Sequence, residues 1–206
     1  MKRGRLFVIA APSGAGKTSL VKALLEGDPT LRLSVSHTTR KRRKTEREGR
    51  EYHFVSVADF ERRRAAGEFL EHAQVFGNLY GTSRAYVERQ LADGHDVVLE
   101  IDWQGAQQVR RALPRCVSVF ILPPSRAALR ERLALRATDT PEVIERRLAE
   151  AAGDMSHYLE FDYVVVNDDF ARAVADLRRI LAGRAAGLRS DRPQLAPLLK
   201  DLLAPA

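Results

Sequence analysis

Cysteine is almost missing from this chain of 206 residues, in which Cys116 stands alone. One thiol excludes an intrachain disulfide and any cysteine-built zinc cluster. It also fits a reduced, cytoplasmic setting. Lysine is scarce too, only six of the 34 basic residues, so the basic character rests almost wholly on arginine. No apolar run approaches the roughly 18–20 residues that span a membrane. Leu6-Phe7-Val8-Ile9-Ala10-Ala11 is too short for a signal core and runs straight into a glycine-rich loop, which marks a buried strand. Repeats and low-complexity linkers are lacking, and His37, His53, His72, His95 and His157 have no metal-ligand spacing. The sequence also lacks a helix–turn–helix, zinc-finger or aromatic-sheet signature, so the basic balance gives no ground for a nucleic-acid partner.

What is present is the material of a compact α/β domain. Hydrophobic residues make up 45% of the chain, enough for a sizeable core. The formal charge of +7 favours an anionic partner without naming it. Apolar strand-like runs at 6–10, 97–101, 117–121 and 163–166 alternate with helical stretches. That rhythm predicts a largely parallel sheet covered on both faces. A helix is expected over 16–26, and a closing helix from 170 to about 186, stopped by Gly187. Phe7, Phe120 and Tyr163 are expected in the core. The tail from Ser190 onward suggests at most a short helix.

Two stretches break the rhythm. Residues 34–83 are polar, basic and aromatic, with short strands near 52–55, 69–72 and 79–81 and a helix over 57–66 capped by Ser56. They read as a small inserted module. Residues 125–158 read as two helical pieces, capped by Ser125 and by Thr140 with Pro141 in the first turn, joined at Arg136-Ala137-Thr138-Asp139.

The strongest local signal is Ala11-Pro12-Ser13-Gly14-Ala15-Gly16-Lys17-Thr18, set between a strand and a helix. That is the context of a P-loop, although Ala11 stands where the usual pattern begins with glycine. Glycines at 14 and 16 let the backbone approach phosphate oxygens. Successive N–H groups at a helix N-terminus form an anion nest. Lys17 supplies charge for β- and γ-phosphates, and the Thr18 hydroxyl suits Mg²⁺. Such a loop implies a nucleoside triphosphate but does not name a reaction.

Further motifs follow in order: Ser34-Val35-Ser36-His37-Thr38-Thr39-Arg40 with Arg43, Tyr52-His53-Phe54-Val55, and Phe69-Leu70-Glu71-His72-Ala73. Gly77-Asn78-Leu79-Tyr80-Gly81-Thr82, Glu100-Ile101-Asp102-Trp103-Gln104-Gly105-Ala106 and Val166-Asn167-Asp168-Asp169 complete the series. Their order and spacing resemble the guanylate kinases, enzymes that phosphorylate GMP with ATP. The resemblance runs from about residue 6 to about residue 186. It implies a P-loop nucleoside monophosphate kinase fold with a parallel sheet covered by helices, a small inserted GMP-binding α+β module and a helical lid. On that plan residues 1–33, 84–124 and 159–206 are the core, 34–83 the GMP module and 125–158 the lid.

The resemblance also implies residue roles. Ser36, Arg40, Arg43 and Tyr52 match the cluster that holds the GMP phosphate, and guanidinium forks with hydroxyls suit a dianion. Glu71 matches the carboxylate that accepts from guanine N1–H and the 2-amino group, donors that adenine lacks on that edge. Thr82 matches a hydroxyl near guanine O6, and Tyr80 flanks the site. Glu100 and Asp102 match the acidic pair at a strand end, Glu100 toward GMP and Asp102 also toward the water shell of Mg²⁺. Arg132, Arg136 and Arg147 match lid arginines that act on the transferring phosphoryl group with Lys17. Asn167 matches a residue near the adenine of ATP.

The chain departs from the pattern at Arg43-Lys44-Thr45-Glu46, where the family often has Pro-Gly inside, and at Ala137, where the lid often has glycine. Neither change removes a group the chemistry uses. The implied reaction is MgATP + GMP → MgADP + GDP, with dGMP as a further acceptor and Mg²⁺ as the metal. Three other classes are weighed. A non-catalytic phosphopeptide-binding relative conflicts with the intact Gly14-Ala15-Gly16-Lys17-Thr18. A nucleic-acid binder lacks a signature, and a P-loop kinase for another acceptor conflicts with Glu71 and Thr82.

Overall fold

In the computed structural model, which describes residues 3–75, 77–134 and 141–204, the first apolar run forms β1 (Leu6–Ala10), buried at every position. The chain continues through α1 (Lys17–Gly27), β2 (Arg32–Leu33), β3 (His37–Thr38), β4 (His53–Phe54), α2 (Val57–Ala65), β5 (Phe69–Val75) and β6 (Asn78–Ser83). Next come α3 (Arg84–Ala92), β7 (Val97–Glu100), α4 (Trp103–Ala112), β8 (Val117–Leu122) and α5 (Arg126–Ala134). The last elements are α6 (Pro141–Met155), β9 (Tyr163–Val166), α7 (Phe170–Leu181) and α8 (Ala196–Leu202). One sheet has the strand order β2-β7-β1-β8-β9 and another β4-β3-β6-β5. The fold is α/β, and the β2–β7 and β8–β9 pairs are parallel. Residues Met1–Val8 and Asp28–Val117 form one compact unit; Ile9–Gly27 and Ser118–Ala206 form another.

In the first unit the smaller sheet is built on the β5–β6 hairpin, whose register sets Glu71 opposite Thr82 and Ala73 opposite Tyr80. The ladder is irregular between Phe69 and Glu71. Ser56 caps α2 as expected, its Oγ accepting from Asp59 N at 3.1 Å. Phe60 on that helix is fully buried and packs 4.6 Å from the Phe69 ring. Helices α3 and α4 were not resolved in the sequence. They start on Ser83 and Asp102, whose side chains accept from Tyr86 N at 3.3 Å and Gly105 N at 2.7 Å.

In the second unit Phe120 is buried against Phe161, 4.9 Å away, and Asp162 Oδ2 accepts from both the N–H and the hydroxyl of Ser118. Tyr163, expected in the core, is only half-buried: it starts β9, and the Arg189 guanidinium lies 5.5 Å from its ring. Helix α7 ends at Leu181 rather than near residue 186. Gly183 takes φ +69°, its N–H bonds Ile180 O, and Arg184 N–H bonds Arg179 O. These bonds close a Schellman turn before Gly187 is reached. Ser125 caps α5 through Ala128 N at 3.0 Å, and α6 begins at Pro141. Thr140 and the 136–139 junction lie outside the described residues. The tail is anchored, since Asp201 Oδ2 accepts from Arg126 N and Arg126 Nη1 donates to Ala204 O. Among the described residues, no helix is long and apolar enough to cross a membrane.

His37 shows what this packing costs. It lies opposite His53 on β4, with ring centroids 4.8 Å apart, and 5.6 Å from Phe69. Its Nδ1 is buried without a hydrogen-bond partner among the described residues. Burial, then the neighbouring His53, pushes its pKa down from 6.5 to about 4. The unfolded chain therefore binds a proton in a range where the folded chain does not. Stability should fall as pH drops from about 6.5 toward about 4. Denaturant unfolding at pH 7 and pH 5 measures the loss, and His37→Leu should flatten it; an unchanged slope would show that His37 is not the group titrating.

Candidate active site

The loop after β1 gets its shape from its glycines. Gly14 and Gly16 hold φ of +88° and +90°, backbone that side chains other than glycine rarely adopt. A Cβ at Gly14 would lie 2.9 Å from Leu129 Cδ1, and one at Gly16 would lie 2.5 Å from Asn167 Nδ2. Within the loop, Ala15 N donates to Pro12 O at 3.3 Å. Pro12 and Ala15 are buried, while Ala11 and Ser13 are half-buried. Lys17 is the first residue of α1 and Thr18, exposed, the second, so both stand where the helix N-terminus concentrates positive potential.

Asn167 and Arg132 brace this loop. Asn167 is buried at the end of β9, and its Nδ2 donates to Ala15 O at 2.8 Å. Its carbonyl accepts from Arg132 Nη2 at 2.9 Å. Arg132 Nη1 is also buried and has no hydrogen-bond partner among the described residues. A guanidinium with one satisfied edge and one orphaned buried edge is suited to an anionic partner. Arg147 is half-buried on α6, whereas Arg136 lies outside the described residues.

The first unit holds two further clusters. In one, Arg40 Nη2 meets Glu46 Oε1 at 2.6 Å, and the guanidinium lies 5.3 Å from the Tyr52 ring centroid. The bond to Glu46 raises the Arg40 pKa and lowers that of Glu46. Glu46 Oε2 also accepts from Arg43 N at 2.8 Å. The Tyr52 and Tyr80 rings are 5.8 Å apart, edge to face. Burial, followed by the charge of Glu100, pushes the Tyr52 phenol up to about 12, so it remains a donor at neutral pH. Ser36 is buried nearby in sequence, its carbonyl accepting from His53 N at 2.9 Å. The Arg43 guanidinium, by contrast, is 71% exposed and approaches Glu46 only at 4.0 Å.

The other cluster is organised around Glu71, which is 3% exposed. The Thr82 hydroxyl, fully buried, donates to Glu71 Oε1 at 2.5 Å. A Cβ at Gly105 would lie 2.5 Å from Glu71 Oε2, so only glycine admits the carboxylate there. Asp102, expected only as an acidic group at a strand end, is also the N-cap of α4. Glu46, Gly105 and the capping role of Asp102 were missed in the sequence as site features. A signal existed for Asp102 alone, as Asp followed three residues later by a small residue at a strand end.

The loop geometry has a direct consequence. Gly16→Ala places a side chain on positive φ and against Asn167, so it should cost about 1–3 kcal/mol. Urea unfolding of both proteins measures this, and an unchanged midpoint would show that the loop adapts.

Comparison with known proteins finds relatives over nearly the whole chain. The guanylate kinase family model matches residues 3–184. A guanylate kinase of Alkalilimnicola ehrlichii is 58% identical over 97% of this chain and 98% of its own. One of Methylococcus capsulatus is 55% identical over 98% of this chain and 100% of its own. The crystal structure of guanylate kinase from Anaplasma phagocytophilum superposes with a TM-score of 0.74 at 36% identity, covering 97% of this chain and 95% of that one. With a family match over nearly its full length and relatives above half identity, the chain belongs to the guanylate kinase family.

Proposed function

We propose that the protein transfers the γ-phosphoryl group of MgATP to GMP, and to dGMP, through the residues described above. The family makes it an ATP:GMP phosphotransferase. The observation that carries the residue assignment is the buried Glu71 carboxylate held by Thr82. Guanine offers N1–H and the 2-amino group to such an acceptor. Adenine does not, and would bury this edge of the carboxylate without supplying donors to it, at a large cost. The phosphopeptide-binding reading is disfavoured because Gly14, Gly16 and Lys17 keep the form of a working phosphate loop.

In this reading Ser36, Arg40, Arg43 and Tyr52 hold the acceptor phosphate. Arg40 is already oriented by Glu46, while the exposed Arg43 swings in as the phosphate arrives. Tyr80 and Glu100 line the same site, and Asp102 serves it from the strand end. The loop from Ala11 to Thr18 holds the donor, with Asn167 keeping the loop in shape beside the adenine side. Residues 34–83 then act as the acceptor module and 125–158 as the lid, with 1–33, 84–124 and 159–206 as core.

The acceptor is a phosphate oxyanion, so no side chain needs to remove a proton. An acceptor oxygen bonds to the γ-phosphorus as the bond to the β,γ-bridging oxygen breaks, and that electron pair leaves with ADP. The protein's task is to offset charge and align the oxygens. Lys17 and the arginines 132, 136 and 147 supply positive charge, and the buried Nη1 edge of Arg132 is suited to it. The Thr18 hydroxyl, a hard oxygen in the first turn of α1, would hold Mg²⁺, and Asp102 is the residue that the family pattern assigns to the metal's water shell. Bound there, Mg²⁺ would neutralise phosphate charge. A cytoplasmic setting follows from the single cysteine and the substrates.

Lys17→Ala should lower kcat by about 10²–10³-fold with the melting temperature little changed. Near-normal turnover would remove the loop from the chemistry. Glu71→Gln should raise the KM for GMP by about 10- to 100-fold and leave that for ATP within about twofold. Equal effects on both substrates, or brisk turnover of AMP or UMP by the unaltered enzyme in an acceptor panel with GMP and dGMP, would contradict the assignment.

A further inference from the structure

Strand β5 lies at the edge of its sheet, so among the described residues its outer backbone groups have no strand to pair with. In an extended chain the N–H and C=O of one residue point to the same side. At His72, immediately after Glu71, both outer groups are taken by one side chain. Gln108 Oε1 accepts from His72 N at 3.1 Å, and Gln108 Nε2 donates to His72 O at 2.7 Å. A primary amide carries a donor and an acceptor in the plane of a peptide group, so Gln108 substitutes for one residue of an absent strand.

The clamp sits where β5 most needs it. The β5–β6 ladder is irregular between Phe69 and Glu71, which weakens the strand's own hold on the carboxylate. Gln108 stands on α4, three residues beyond Gly105, and Gly105 is the residue whose missing side chain admits Glu71 Oε2. Asp102 fixes the start of that helix through Gly105 N. One helix therefore meets β5 both at the Glu71 carboxylate and at the backbone one residue on.

We propose that Gln108 is a positioning residue for base recognition: through His72 it sets the place of the Glu71 carboxylate and thereby the preference for guanine. This rests on the reading of Glu71 as the acceptor of guanine N1–H and the 2-amino group. Loss of the clamp lets β5 shift at its edge, and a misplaced acceptor discriminates poorly even with its chemistry intact.

The experiment is steady-state kinetics with GMP, inosine monophosphate (which lacks the 2-amino group) and ATP on the unaltered enzyme, Gln108→Ala, Gln108→Glu and Glu71→Gln, with a melting curve for each. Gln108→Ala should raise the KM for GMP about five- to tenfold, leave the KM for ATP within about twofold, and narrow the preference for GMP over inosine monophosphate by about threefold or more. Gln108→Glu, which keeps the acceptor for His72 N but loses the donor, should show a smaller change of the same kind. It carries the test if Gln108→Ala does not fold. Equal KM changes for both substrates, or a lowered melting temperature with the preference unchanged, would overturn the proposal. If Glu71→Gln leaves the preference unchanged, the base-reading assignment itself fails, and the role of Gln108 falls with it. If Glu71→Gln narrows it and neither Gln108 variant does, the role of Gln108 alone fails.

Discussion

A buried carboxylate persists only where donors are brought to it and bulk is kept away. Glu71 sets that condition for the module around it. The hairpin register brings the Thr82 hydroxyl within 2.5 Å, and Gly105 leaves room for the second oxygen. Asp102 holds the start of the helix carrying Gly105 by accepting its N–H. Together they keep an acceptor pair in a dry place, where hydrogen bonds discriminate well because the unpaired alternative is costly.

The loop from Ala11 to Thr18 meets the converse problem, since in the proposed function it attracts anions without a cluster of exposed charges. Backbone N–H groups serve for this, and positive φ at Gly14 and Gly16 turns the chain to present them. Asn167 anchors the loop by its side chain and Arg132 by its carbonyl. Arg40 is handled differently again. Glu46 and the aromatic faces of Tyr52 and Phe54 hold its guanidinium in one orientation, which would lower the entropy lost if, as proposed, it holds the acceptor phosphate.

Much of the fold was legible because burial on both faces writes a strand as an unbroken apolar run. The strands at 6–10 and 163–166 carry the expected limits, and those at 97–100 and 117–122 differ by one residue. Helices α3 and α4 escaped because their helical runs are polar and follow a strand directly, with only Ser83 and Asp102 marking the change. The end of α7 was misplaced because Gly183 and Gly187 are equivalent in composition, and the earlier one closes the turn. Glu46 was hidden in a charge run, where spacing cannot say which acid meets which base. Tyr163 shows the limit of residue type as a guide to burial.

The sequence by itself determined the chemical vocabulary: a glycine-rich loop ending in Lys17-Thr18 between a strand and a helix, and an ordered series of motifs that resembles the guanylate kinases. Those depend on residue type and short spacing, which the chain carries openly. Only the tertiary structure decided which groups meet across long separations. Thr82 reaches Glu71 through strand pairing, Asn167 reaches Ala15 across 152 residues, and Gln108 closes on His72 from a different element. Such meetings are set by hairpin register and helix placement, which arise from packing the whole chain and leave no local mark on it.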